Sequence, residues 1–319
     1  MTRVLVTGGS GFIGTNLVEA LMGEGYDVLS IDKVLPRLDS HIKCFHQGDV
    51  CDETFLKEIL KSFDPNYILH LAAITGMDSS EPSDFEENYV SAKLLCRFSG
   101  LSPSLKKIIF TSSLLVCRNG YIPSSNIDYC PPNGYGHSKA LSEIVVRESN
   151  ISVAWDIVRP TSIWGPWFSG GYLSFFNLVS KGLFFNVAGE KIMKPTSFVG
   201  NTCFMITKIM KSNSSGQVYY LADYPQGSVQ DWANQIHKAF EKKGNITTVP
   251  LVLLKTIARF GDILNGIGIP FPLFSTRLKN MLISQDYPVE NTLSIVGVLP
   301  YSRKRGIEET VSWIKRNTD

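Results

Sequence analysis

The sequence has no Cys-x-x-Cys pair and no His/Cys cluster at the spacing a zinc site needs, so no metal is expected. Its six cysteines, Cys44, Cys51, Cys96, Cys117, Cys130 and Cys203, are scattered through 319 residues. That pattern excludes a disulfide framework and reads as buried thiols in a reducing compartment. Charge is sparse: 19% of residues are charged and the net charge is +2, which removes any bulk electrostatic case for nucleic acid. The one basic run is Arg303-Lys304-Arg305. No internal repeat or low-complexity segment is evident. Val4-Leu5-Val6 is too short for a secretory h-region and runs straight into glycines, so a cytoplasmic protein is expected. No uninterrupted run reaches the roughly 20 apolar residues of a spanning helix, so no transmembrane span is expected. The longest apolar stretch, Val249 to Phe274, is broken by Lys255, Arg259 and Asp262 and ends near Pro270 and Pro272. It reads as an amphipathic helix and loop over a second lobe, or as a peripheral membrane contact.

What is present is an ordinary globular composition, 44% apolar, long enough for two lobes. Arg3 to Thr7 is a short β-branched run, followed by Gly8-Gly9-Ser10-Gly11-Phe12-Ile13-Gly14 and a helical Thr15 to Met22. Strand, glycine turn and helix start are the context of a dinucleotide fingerprint. Gly8, Gly11 and Gly14 permit a tight turn and close approach of backbone to pyrophosphate, and the helix N-terminus offers free N–H groups. Asp27 to Ile31 reads as a second strand ending at Asp32. An acid there suits two ribose hydroxyls and repels a 2′-phosphate, which favours NAD over NADP, although Lys33 and Arg37 follow closely.

The alternation continues. His41 to Gln47 reads as a third strand, leading to Asp49 near the adenine, and Asp52 to Ser62 as a helix. Tyr67 to Ala73 is a fourth strand, whose Ala72 and Ala73 let backbone pass close to a cofactor. His70 on it reads as a satisfied core histidine. Phe85 to Ser99 is a helix carrying Asn88, Lys107 to Val116 a fifth strand, and Ser152 to Arg159 a sixth. The expected fold is α/β: a Rossmann-type, doubly wound parallel sheet over residues 1–166, with a smaller substrate-binding lobe, 167–319, partly packed back on the sheet. Aromatics cluster at the start of that lobe, and Gln217 to Leu221, Val229 to Lys242 and Ile307 to Arg316 read as a strand and two helices.

Between the fifth and sixth strands lies Tyr135-Gly136-His137-Ser138-Lys139. Tyrosine and lysine four apart share one helix face. Tyrosine titrates near 10, and an ammonium one turn away favours phenolate. Lys139 can also bond a nicotinamide ribose. Ser113, furthest toward the C-terminal edge of the fifth strand, can hydrogen-bond a substrate oxygen, and Thr111 and Ser112 are its near neighbours. Tyr135 would then move a proton while hydride passes to the nicotinamide.

These pieces, with Gly48-Asp49-Val50, His70-Leu71-Ala72-Ala73, Phe110-Thr111-Ser112-Ser113 and Arg159-Pro160-Thr161-Ser162-Ile163-Trp164-Gly165-Pro166, resemble an extended short-chain dehydrogenase/reductase of the NAD-dependent epimerase/dehydratase family, which acts mainly on nucleotide sugars. The resemblance runs through the first half of the chain in family order. It implies NAD as cofactor, with Phe12, Ile13, Asp49, Val50, Leu71, Ala72, Ala73 and Asn88 joining the cofactor site. It also implies a sugar- or nicotinamide-facing Ser162, and Lys194 where relatives often carry an arginine for the diphosphate. A homodimer is expected. Where the family's 4,6-dehydratases carry Thr-Asp-Glu, this chain has Ser113-Leu114-Leu115, which cannot supply the acid and base for water loss. Cys117-Arg118 replaces a usual Tyr-Gly, and Gly200-Asn201 stands where an acid is usual. Three readings follow: a nucleotide-sugar epimerase acting at C4, a 4-keto-sugar-nucleotide reductase, and a non-catalytic cofactor-binding protein.

Overall fold

In Arg3–Thr7 (β1), successive side chains leave the strand on opposite sides. Val4 and Val6 enter one apolar layer and Leu5 the other, and all three are fully buried. A strand buried on both faces belongs inside a parallel sheet with helices on either side. The computed structural model, which describes residues 1–76, 81–285 and 287–317, has that architecture.

After β1 come Phe12–Gly23 (α1), Asp27–Asp32 (β2), Phe45–Gln47 (β3), Glu53–Phe63 (α2), Tyr67–His70 (β4) and Glu86–Phe98 (α3). Lys107–Thr111 (β5), Gly134–Glu148 (α4) and Ala154–Pro160 (β6) complete the first run. The rest comprises Ser162–Trp164 (β7), Gly171–Ser180 (α5), Asn186–Val187 (β8), Thr196–Phe198 (β9), Val199–Lys211 (α6) and Val218–Leu221 (β10). Then follow Val229–Ala239 (α7), Thr248–Val249 (β11), Leu251–Gly266 (α8), Ser275–Leu282 (α9), Glu290–Val296 (α10) and Arg303–Asn317 (α11).

Seven strands form one parallel sheet in the order β10-β6-β5-β4-β1-β2-β3. Chain order reverses between β1 and β4. Ligands of open α/β sheets bind beyond the strand ends at such a point. One face of the sheet packs on α1 and α6 through Leu17, Leu21, Ile206 and Ile209. The other packs on α2, α3 and α4 through Leu56, Leu95 and Val146.

Several elements are shorter than their sequence patterns suggest. The third strand begins at Phe45, because His41 is drawn beneath α1 by Glu19, 2.8 Å from its Nε2, and Asp39–Cys44 coils into a 3-10 turn. The fourth ends at His70, opposite Thr7, where its neighbour bends away into the glycine turn. The fifth ends at Thr111: Ser113 Oγ accepts the Leu115 N–H at 3.1 Å and caps a tight turn. The strand expected at 217–221 is β10, an edge strand of the main sheet. The aromatics clustered around the start of the second lobe largely make core. Trp164 is fully buried against Phe176, Phe198 and Trp232, with ring centroids 5.3–5.8 Å apart. All six cysteines are free thiols, but only Cys96, Cys117 and Cys203 are buried. Among the described residues no helix is long and apolar enough to cross a membrane.

Candidate active site

Beyond the C-terminal ends of β1, β2, β4, β5 and β6 lies a cleft of about 620 Å³. Its floor is the glycine turn. Gly8 has φ +73°, and a Cβ there would stand 2.6 Å from the Ala72 amide nitrogen, so only glycine lets β1 and β4 close together at this point. Helix α1 starts at Gly11 without a side-chain cap and without an acid in its first turn. The N–H groups of Phe12, Ile13 and Gly14, all lining the cleft, are therefore open to an anion.

Asp32 stands where β2 ends, in the cleft wall. Its carboxylate accepts the Ser10 N–H at 3.0 Å and the Val34 N–H at 3.3 Å, which fixes it beside the glycine turn. Asp49 and Val50 follow β3 and line the same end. Asp49, Cys51 and Glu87 converge within 4.8 Å, and the Lys33 ammonium lies on both carboxylates, 2.9 Å from Asp49 and 2.6 Å from Glu87. The hydrogen bond to Glu87, with Asp49 adding, holds that ammonium above the usual lysine range. Arg37 is committed too: its Nε donates to the Ser10 carbonyl and its Nη1 to the Trp167 carbonyl.

Leu71, Ala72 and Ala73 form the middle of the cleft. The segment is held by Asn88, whose Oδ1 accepts the Ile74 N–H at 2.7 Å and whose Nδ2 donates to the Ile74 carbonyl and to Ser138 Oγ. Below it His70 is a core residue, as its apolar flanks suggest, bonded to Thr7 and Ser91; burial, with Lys139 adding, pushes its pKa down to about 3.

Ser113, Tyr135 and Lys139 meet at the inner end. Helix α4 is capped by Asn133, whose Oδ1 accepts the Gly136 N–H at 2.9 Å. A Cβ at Gly136 would stand 2.2 Å from the Leu115 carbonyl, so glycine lets the turn after Ser113 press on the first turn of α4. Tyr135 is thereby brought beside Ser113 in the cleft, and its ring meets Phe85 edge-on. Ser112 and Thr111 also line the cleft, but Ser112 Oγ and Thr111 Oγ1 are buried without a partner among the described residues. Burial raises the Tyr135 pKa and the neighbouring Ser113 opposes it. The expected lowering by Lys139 is not seen. Its Nζ donates to the Thr111 carbonyl at 2.9 Å, and burial brings its own pKa down to about 8 against the pull of Glu143 one turn on.

Thus every residue expected from sequence to touch cofactor lies in one cleft with the Ser113/Tyr135/Lys139 set. The two substrate positions expected beyond them do not line it. Ser162 Oγ is held by the Tyr172 hydroxyl, and Tyr172 is the residue that faces the cleft. Lys194 Nζ donates to the Asn280 carbonyl in α9. Sequence reasoning missed Thr161, Phe168 and Tyr172 as lining residues. Tyr172 was visible as a hydroxyl-bearing ring in an aromatic stretch, and nothing marked it beyond that.

Residues 4–181 match the NAD dependent epimerase/dehydratase family. The chain belongs to that family. It is 28% identical over 318 residues to the N-acetyl-alpha-D-glucosaminyl-diphospho-ditrans,octacis-undecaprenol 4-epimerase of Escherichia coli O157:H7, covering 98% of this chain and 95% of that one. It is 30% identical over 351 residues to the UDP-glucose 4-epimerase of Neisseria meningitidis serogroup B, covering 99% and 98%. Among solved structures, the Thermotoga maritima UDP-glucose 4-epimerase with UDP-glucose superposes with TM-score 0.75 at 18% identity over 100% of both chains. An enzyme of Bordetella bronchiseptica in complex with NAD+ does so with TM-score 0.75 at 16% identity, again over 100% of both. The fold of this epimerase/dehydratase family member is therefore the Rossmann-type fold expected from its sequence, and the cofactor of the family is NAD.

Proposed function

We propose that this chain is an NAD-dependent nucleotide-sugar epimerase acting at C4. The observation that carries the reading is the meeting of Ser113, Tyr135 and Lys139 at the inner end of a cleft whose other end offers the α1 N-terminus and Asp32. The family relatives named above bear 4-epimerase names, and sugars on a diphosphate are common to those names.

NAD fits the residues present. Phe12, Ile13 and Gly14 would bind its pyrophosphate through backbone N–H groups, and Asp32 its adenosine ribose. Lys139 would hold the nicotinamide ribose. When bound, NAD supplies the hydride acceptor. Ser113 donates a hydrogen bond to the sugar oxygen, and Tyr135 removes the proton from that oxygen and later returns it. The water-loss alternative lacks its acid and base, because Leu114 and Leu115 occupy the turn after Ser113. The test is to offer UDP-glucose and UDP-N-acetylglucosamine to purified protein without added cofactor. The expected result is conversion to the C4 epimer with no net change in reduced-nicotinamide absorbance. Stoichiometric consumption of NADH or NADPH, with a 4-keto-sugar nucleotide alone as substrate, would establish a reductase instead.

Cofactor choice follows from Asp32. With Lys33 engaged by Asp49 and Glu87, and Arg37 by two carbonyls, neither basic neighbour is disposed toward a 2′-phosphate. NAD should bind more tightly than NADP in calorimetric titration of cofactor-stripped protein, and Asp32→Ala should narrow the gap. Tighter NADP binding by the unaltered protein would transfer control to Arg37 or Lys33.

The pH profile follows from Lys139. Its pKa is depressed to about 8, so the cation that would hold the nicotinamide ribose is present below that pH and lost above it. The kcat of the cofactor-loaded protein should therefore fall on the alkaline side of about pH 8. Glu143→Gln removes the anion that supports the cation, and should move the descending limb to lower pH. A flat profile to pH 10 would show that Lys139 does not act as a cation.

A further inference from the structure

Helix α8 has two apolar faces. Leu254, Ala258 and Gly261 are buried against α9 and its neighbours. On the opposite side Val252, Phe260, Ile263 and Ile267 are 76%, 56%, 63% and 68% exposed. At 3.6 residues per turn they form one stripe with Thr256 and Leu253, and Ile269, 51% exposed, extends it beyond the helix end. A soluble helix ordinarily turns charge outward on the face away from its core, so a second apolar stripe marks a contact surface.

The chemistry along the stripe selects the partner. Lys255 and Arg259 flank it on one side, both exposed and without an ion-pair partner among the described residues. Residues 251–282 hold four basic side chains and one acid, in a chain whose net charge is only +2. That acid, Asp262, is bonded to the backbone and hydroxyl of Ser275 at the start of α9. Between α8 and α9 a groove of about 410 Å³ is lined by Ala258, Leu278, Leu282 and Ile283, with Lys255, Arg259, Lys279 and Ser275 also in its wall. Apolar residues bordered by lysine and arginine, with a further lysine across the groove, have the make-up of a helix lying in the headgroup layer of an anionic bilayer. Two hydrogen bonds tie the α9 end of this lobe to other parts of the chain. Gln285, just after α9, donates to Asn119 in the loop running from Ser113 to Tyr135, and Lys194 bonds Asn280.

We infer that the outer face of α8 seats this protein on an anionic lipid bilayer surface, with Val252, Phe260, Ile263 and Ile267 entering the headgroup layer and Lys255, Arg259 and Lys279 meeting phosphate. The seat is independent of the chemistry in the cleft. The experiment is co-sedimentation with vesicles of phosphatidylcholine alone and with about one-third phosphatidylglycerol, at low and high salt. The intact chain should sediment with the anionic vesicles only, less at high salt. Phe260→Asp/Ile263→Asp should abolish binding, and Lys255→Glu/Arg259→Glu should weaken it about tenfold or more. Circular dichroism melting reports whether the variants fold; if the double aspartate variant melts early, Ile267→Asp alone serves in its place. The proposal is overturned if the intact chain stays in the supernatant, or if folded variants bind as it does. It is also overturned if light scattering shows the intact chain self-associating through a contact that the same substitutions remove. UDP-sugar turnover by the folded variants should match that of the intact chain, so a lost seat and a wrong reaction are told apart.

Discussion

Tyr135→Phe should lower turnover by about two to four orders of magnitude while leaving NAD affinity nearly intact. The hydroxyl is the only group removed, and it is the group that stands beside Ser113. The ring stays seated edge-on against Phe85, so α4 has no reason to move. The residues placed at the pyrophosphate and adenosine ends belong to other elements, α1 and β2, and Lys139 keeps its bond to the Thr111 carbonyl. Single-turnover kinetics on a confirmed sugar nucleotide, with calorimetric titration of cofactor, separate the two effects. Turnover within about threefold of the unaltered protein would remove Tyr135 from the proton-moving role. A comparable fall in NAD affinity would show instead that the hydroxyl is a structural strut. Ser113→Ala provides the matching measurement. Its Oγ also caps the turn at Leu115, so part of its effect should appear as lost stability, whereas that of Tyr135→Phe should not.

How much of this was readable in advance depends on the range over which each feature is encoded. The glycine turn, Asp32 and the Tyr135/Lys139 pair are local patterns, each set within one turn or one strand end. The alternation of strands and helices then dictates a parallel sheet that carries all of them to the same edge. Features made by distant pairing left no such trace. Lys107 opens the fifth strand, and nothing in the sequence beside it marks a partner. In the structure it is buried with its Nζ 2.6 Å from Asp156 on the next strand, and it also bonds the Ile209 and Ser212 carbonyls after the sheet has been crossed. Ser113 reads as strand because hydroxyl-rich ends of buried strands look continuous, but its own side chain turns the backbone. Ser162 and Lys194 were placed by resemblance alone, and in this chain their polar atoms are taken up by Tyr172 and by Asn280. The outer stripe of α8 was visible as an interrupted apolar run, but only the exposure of each residue distinguishes a covering helix from one with a second face.

The largest stability effect should come from Glu143, two turns beyond Tyr135 on α4. Its two carboxylate oxygens accept from Arg159 Nε at 2.8 Å and Nη2 at 2.7 Å, and Tyr129 donates a third bond at 3.0 Å. Glu143 and Arg159 are each 1% exposed. Such a fork-to-fork pair ties α4, and with it the inner end of the cleft, to β6. Removing one partner strands the other charge away from water, so Glu143→Ala should cost about 3–5 kcal/mol in urea unfolding at neutral pH. The Tyr220 hydroxyl and the Asn126 carbonyl, which also bond Arg159, carry no full charge and cannot compensate. If the penalty is the stranded guanidinium rather than lost shape, Glu143→Leu combined with Arg159→Met should recover most of it, because neither charge is then buried. The two single substitutions should accordingly be strongly non-additive. Additive losses in the double variant would mean that packing volume, and not the ion pair, holds α4 against the sheet.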